Sequence, residues 1–142
     1  MLTKEFIDTV RGNIMVQIIT DSSTLITVAE GKEMGIDVLP LCVNIMDEDY
    51  RDLQVDMDDF YGKIAKGGIP KSSQPPVGEY VEAFKAHAGK KILNSAMAHG
   101  LSGTYQSACG AKEIADNKDD IEVFNTRTLC GPHRYMVEKA LS

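Results

Sequence analysis

Clusters of lysine and arginine are missing from this sequence, and with them the positive patch that holds a nucleic-acid backbone. The 142 residues carry 15 Lys and Arg against 21 Asp and Glu, a formal charge of −6. Counterion release needs clustered cations, so no nucleic-acid partner is expected. Long apolar runs are missing too, since none approaches the roughly 18 residues that a membrane span requires. Met1 to Arg11 mixes charges with apolar groups and lacks the continuous apolar stretch of a secretory signal. Cysteine is scarce. Cys42, Cys109 and Cys130 show no metal-like spacing, and an odd number does not make a disulfide framework, so reduced thiols and a cytoplasmic location are expected. The Walker pattern, the dinucleotide glycine fingerprint and a Gly-x-Ser-x-Gly elbow are all absent. His87 and His133 read as structural or exposed, and neither a metal nor a cofactor is expected.

What is present is one domain's worth of chain in which strand-like and helix-like segments alternate. Leu2 to Val10 reads either as a short amphipathic helix or as a frayed extension, so residues 1–14 are set apart from the rest. Met15 to Thr20 reads as a buried strand. It runs into Asp21-Ser22-Ser23-Thr24, where a helix is predicted to start with Leu25, Val28 and Ala29 on its apolar side and Gly35 as its stop. Val38 to Ile45 reads as a second strand, bent or at an edge near Pro40, and Asp47 to Arg51 as turn and loop. Asp56 caps a predicted helix whose Met57, Phe60, Tyr61, Ile64 and Ala65 recur at helical spacing up to Gly67-Gly68. A hydroxyl-rich, proline-stiffened loop at 69–76 leads into a helix with Val77, Tyr80, Val81 and Phe84 on its apolar face.

An apolar run around Lys91 to Leu93 then passes through Asn94 to Thr104 into a helix carrying Tyr105, Ala108, Ala111 and Ala115, with Ser102 as its natural N-cap. Ile121 to Phe124 is a short strand, Asn125 to Thr128 a polar turn, and Gly131 to Leu141 a helix with Met136, Val137, Ala140 and Leu141 inward. Such alternation implies βαβ units, hence an α/β fold with a mainly parallel sheet covered on both faces. The carboxyl ends of parallel strands gather at one edge. Asp21 to Ser23, Ala98 to Thr104 and Asn125 to Thr128 should meet there, with the Ser72-Ser73 loop facing the same crevice. Gly100 and Gly103 allow close approach to a helix N-terminus, where a carboxylate or phosphate is stabilised.

Asp21-Ser22-Ser23, Pro40-Leu41, Tyr50-Arg51-Asp52, Ser72-Ser73-Gln74-Pro75 and Leu101-Ser102-Gly103-Thr104-Tyr105-Gln106-Ser107-Ala108 stand in an order that resembles the DegV family. The likeness runs from about Val16 to the C-terminus. It implies the first lobe, an α/β/α sandwich over residues 15–142, of a two-lobed protein that encloses one long-chain fatty acid. The resemblance further implies a carrier rather than an enzyme, one that presents the bound acid to a fatty acid kinase. Three departures stand out. The family's threonine before Ser-Gln-Pro is Ser72 here. The two serines that usually precede the Leu-Ser-Gly-Thr motif by one residue are Ala98 and His99, with His99 a possible substitute donor. Thirdly, the sequence ends near where the second lobe would begin, so that apolar surface left uncovered favours a homodimer.

The leading expectation is therefore a lipid-binding protein with Ser72, Ser73, His99, Gly100, Ser102 and Gly103 around the fatty acid's carboxylate. Val38, Leu41, Val43 and the Met97 region are candidates for the apolar wall along its tail. Other readings stay open. One is a phosphate or other small-anion site. Another is a hydrolase built on Ser102 or Ser22 with His99 and Asp21. The last is a fragment that binds no ligand.

Overall fold

Parallel pairing of four short strands sets the frame. The computed structural model describes residues 3–4 and 16–142, and apart from Thr3 and Lys4 the Leu2 to Val10 segment lies outside the described residues. Strand β1 (Val16–Asp21) lies between β2 (Asp37–Leu39) and β6 (Lys91–Ala96), with β7 (Ile121–Asn125) beyond β6, and every pairing is parallel. Successive side chains of a strand point to opposite faces, which divides β1 between two cores. Ile19, with Ile92 and Ile121, packs against Tyr80 and Phe84 of α3 (Val77–Ala86) and Ala108 and Ala111 of α4 (Thr104–Ile114). On the opposite face Ile18 and Val38 pack with Ile26, Ile36 and Val137 of α5 (Cys130–Leu141). The sheet is thus covered on both sides, as the alternating pattern implies. At about 25 cal/mol per Å² of buried apolar surface, these two layers are the main favourable term in folding.

A second, antiparallel sheet was not anticipated. It runs β4-β3-β5, with β3 at Cys42–Ile45, β4 at Glu48–Arg51 and β5 at Lys71–Ser73. The expected single strand from Val38 to Ile45 is divided at Pro40-Leu41 between the two sheets, because proline has no N–H for a ladder. The groups at the break find partners elsewhere: Arg51 Nη2 donates to Pro40 O, and Leu41 N donates to Ser22 Oγ. The segment expected as loop from Asp47 to Arg51 instead forms β4. Met46 and Asp47 both adopt positive φ, 51° and 62°, the primed-turn conformation that suits a two-residue hairpin. Likewise β5 lies inside the expected 69–76 loop.

The helix expected directly after Asp21 is interrupted. Ser22–Thr24 forms one 3-10 turn, with Asp21 Oδ1 accepting from Ser23 N at 2.9 Å, and Leu25 at φ 63° stops it. The chain restarts at Thr27, whose Oγ1 accepts from Glu30 N, giving α1 (Val28–Met34), which Gly35 ends at φ 76° as expected. That interruption turns Leu25, Val28 and Ala29 outward and lets Ile26 enter the core. Helix α2 (Met57–Ala65) has its expected Asp56 cap, yet none of its residues is buried and Tyr61 is 60% exposed. Ser102 is not the N-cap of α4. Gly103 occupies that position, and Ser102 Oγ, one residue further out, bonds Thr104 Oγ1 at 2.8 Å and accepts from Thr104 N at 3.2 Å. Val77 at the start of α3, and Ala140 and Leu141 at the end of α5, are exposed rather than inward. Among the described residues no helix is long and apolar enough to cross a membrane.

Candidate functional site

Three loops at the carboxyl edge of the parallel sheet are laced together by hydrogen bonds. The buried Asp21 side chain holds the turn after β1 through Ser23 N and the turn after β6 through Met97 N, which reaches Oδ2 at 3.1 Å. Ala98 N donates to Thr128 O at 2.9 Å, and Thr126 Oγ1 donates to Ala96 O at 2.8 Å. Asn125 Oδ1 accepts from both His99 N and Arg127 N. The convergence expected from right-handed crossovers is present, and side-chain capping atoms enforce it.

The fourth loop arrives through the small sheet. Ser72 pairs with Val43 and Ser73 with Cys42 along β3. Besides the bonds at the Pro40-Leu41 break, two side-chain contacts fasten that sheet to its surroundings. Ser22 Oγ donates to Asp52 Oδ2 at 2.7 Å, and the Arg51 guanidinium grips both oxygens of Glu79 on α3. The Glu79 carboxylate holds Arg51 further above its ordinary value, so the clamp stays charged. Asp21-Ser22 and Tyr50-Arg51-Asp52, two of the motifs noted in the sequence, therefore build the scaffold around the crevice.

Where the two sheets meet lies a cavity of about 270 Å³, lined by Leu41, Ser72, Ser73, Gln74, Met97, Leu101, Ser102 and Gly103. It opens at the N-terminus of α4, whose first N–H groups have no intrahelical acceptor. Hydroxyls and apolar side chains share its wall, and no carboxylate is among them. The arrangement can take an anionic head by hydrogen bonding, with Leu41, Met97 and Leu101 as its apolar neighbours. Four of the six residues singled out from the sequence are brought together here. His99 and Gly100 are not on this lining. The His99 ring stands edge-to-face against Tyr105, with centroids 5.7 Å apart.

Gln74 and Leu101 line the cavity without having been singled out, although both belong to motifs visible in the sequence. Of the tail-wall candidates, Leu41 and Met97 line this cavity. Val43 lines a second one of about 400 Å³ with Leu53, Val55, Met57 and Phe60. Val38 is part of the core instead, since its place on the α5 face of the sheet is already covered.

The hydrolase arrangement is not assembled. Ser22 is bonded to Asp52 and Leu41 N, Ser102 to Thr104, and Asp21 to two backbone N–H groups. The histidine that does meet serines is His133, fully buried, with Nδ1 3.0 Å from Ser23 Oγ and Nε2 3.2 Å from Ser95 O. Thr20 Oγ1 spends its proton on Ser95 O, so it and that carbonyl both present acceptors to Nε2, which therefore carries the hydrogen. Burial pushes His133 below its ordinary value, outweighing the opposing pull of Asp21. His133 is a neutral structural histidine. Among the described residues, no three His, Cys, Asp or Glu side chains gather as a metal site would need.

Compared with known proteins, the chain matches the model of the DegV family of uncharacterised proteins over residues 15–142. A DegV domain-containing protein of Clostridium perfringens is 32% identical over 112 residues, covering 76% of this chain and 40% of that protein. The solved structure of DegV from Bacillus subtilis, described as a fatty acid binding protein, superposes with a TM-score of 0.78 at 28% identity. It covers 91% of this chain and 47% of that one. A DegV family protein from Thermus thermophilus, whose structure is described by its fatty acid binding, gives 0.76 at 26% identity, with 89% and 46% covered. The chain spans less than half the length of each of these relatives.

Proposed function

The chain belongs to the DegV family, and from that premise we propose that it binds a long-chain fatty acid by its carboxylate, with residues 15–142 as one lobe of the carrier. The supporting observation is the cavity between the two sheets, where Ser72, Ser73 and Ser102 meet the N-terminus of α4 at Gly103. A carboxylate removed from water needs about two or more donors to offset its lost hydration. The Ser72 and Ser73 hydroxyls and the first-turn N–H groups of the helix after Thr104, whose own N–H is held by Ser102 Oγ, provide them, and the helix dipole adds favourable potential. His99 and Gly100 sit on the adjoining turn and are assigned no contact with the acid. The chain acts as a carrier in this reading, without chemistry of its own. A fatty acid kinase that phosphorylates the presented carboxylate, and a second copy of the chain, are the partners it adds.

Native mass spectrometry of the purified chain, followed by denaturing extraction and lipid analysis, tests the reading. A fatty acid at one per chain or one per dimer is the expected result. A chain that arrives empty and takes up no added fatty acid overturns it. The same helix terminus and hydroxyls suit a small inorganic anion, so displacement of the lipid by phosphate compounds would move the assignment to a phosphate site.

A further inference from the structure

We infer that Gln74 is a head-group residue: its carboxamide, laid over Gly103 at the start of α4, donates to the bound carboxylate, and Gly103 lacks a side chain to make room for it. This inference rests on the fatty-acid reading above.

The backbone at Gln74 is held on both sides. Ser73 is paired to Cys42 in the small sheet, and Pro75 is buried. A residue before proline is confined to extended conformations, so the point from which the Gln74 side chain leaves is fixed. A methyl group on Gly103 would stand 3.1 Å from Cδ, 3.1 Å from Oε1 and 3.2 Å from Nε2 of Gln74. Three nearly equal distances to one planar group mean that its face, not its edge, is turned to Gly103. Those distances are shorter than carbon contacts allow without a shift. Gly103 itself has φ −73°, a conformation open to any residue, so the requirement for glycine here is one of space.

The carboxamide lines the same cavity as Ser72, Ser73 and Ser102. It makes no hydrogen bond to any described residue, whereas Ser102 Oγ is engaged with Thr104. An amide carries two donors on its nitrogen. Gln74, itself exposed, thus offers the crevice donors that no described residue occupies, beside a helix terminus that already favours negative charge.

The test compares hexadecanoic acid with hexadecan-1-ol as probes, by titration calorimetry, on the wild-type chain, Gln74→Ala, Gly103→Ala, the double variant and Gln74→Glu. Charge-assisted bonds are stronger than neutral ones, so Gln74→Ala should weaken acid binding about tenfold and alcohol binding less than about threefold. Gly103→Ala should weaken the acid by a similar factor by displacing the carboxamide, and should add little once Gln74 is alanine. Gln74→Glu should weaken the acid more than alanine does, because a carboxylate then faces a carboxylate. Equal losses for acid and alcohol, or additive effects of the two alanine substitutions, would overturn the role of Gln74 while leaving fatty-acid binding in place. Failure of the wild-type chain to bind the acid would overturn both.

Discussion

Ser72 and His99 compete, on sequence grounds, for the same carboxylate, and their surroundings separate them. Ser72 is exposed on β5 and lines the cavity with an uncommitted hydroxyl, whereas His99 turns its ring to Tyr105. Ser72→Ala should therefore weaken acid binding by about 1 to 3 kcal/mol, the cost of removing a donor from an ionised partner. His99→Ala should leave it within about twofold. A titration in which His99→Ala is the more damaging change would reverse that assignment. His133 supports a prediction of a different kind. Its folded-state value lies below the ordinary 6.5 because burial opposes charging, so the unfolded chain binds the extra proton first as pH falls. Stability is then full above about pH 6.5 and declines below it, until the folded imidazole also protonates. Urea midpoints measured across that window should fall with pH, and His133→Gln should flatten this part of the profile. The serines and glycines of the site were legible in the sequence because hydroxyl-rich turns after strands are capping chemistry. The roles of Gln74 and His133 were not, since each depends on a neighbour 29 or more positions away, Gly103 for the one and Ser95 and Ser23 for the other.

Helix α1 meets the sheet at Gly31, where an added Cβ would lie 2.6 Å from Val38 Cγ2 and 3.3 Å from Ile36 O. Gly31→Ala should destabilise the fold by about 1 to 3 kcal/mol, because overpacking against a buried strand outweighs the better helix propensity of alanine. Gly62, in the exposed interior of α2, has nothing within 4 Å of the same position. There Gly→Ala should stabilise by about 0.5 to 1 kcal/mol, and chemical denaturation of the two variants side by side separates packing from propensity. Elements of the main sheet were legible for a reason that this pair illustrates. Buried parallel strands and the helices that cover them leave a strong apolar period, and β1, β6, α3 and α4 all carry it. The small sheet leaves almost none. The buried residue of β3 is Ile45, while β4 and β5 have no buried residue, and the hairpin turn at Met46-Asp47 lacks the Asn-Gly signature that would have announced it. Helix α2 misleads in the opposite sense, showing a regular apolar stripe that is not buried in either core.

At the scale of the whole molecule, the cavity belongs to neither sheet alone. Leu41, Ser72, Ser73 and Gln74 come from the small sheet and its flanks, and Met97, Leu101, Ser102 and Gly103 from the loop between β6 and α4. Polar contacts between the small sheet and the rest include the Ser22–Asp52 bond and the Arg51–Glu79 pair. The guanidinium and carboxylate of that pair are about a third exposed, which places it among interactions of modest strength. A ligand seated between the sheets adds contacts to both, so it should stabilise the folded chain as a unit and not merely one loop. At 100 times its dissociation constant, a fatty acid should contribute about 2.7 kcal/mol to unfolding free energy. For a chain of this length that corresponds to a rise in Tm of about 5 to 10 °C. Differential scanning calorimetry with hexadecanoic acid should show one transition displaced upward, its midpoint rising with ligand concentration. Two transitions, only one of them moved by the acid, would mean that the ligand engages a single sheet, and the site would then have to lie away from the junction where Ser72 and Ser102 line one cavity.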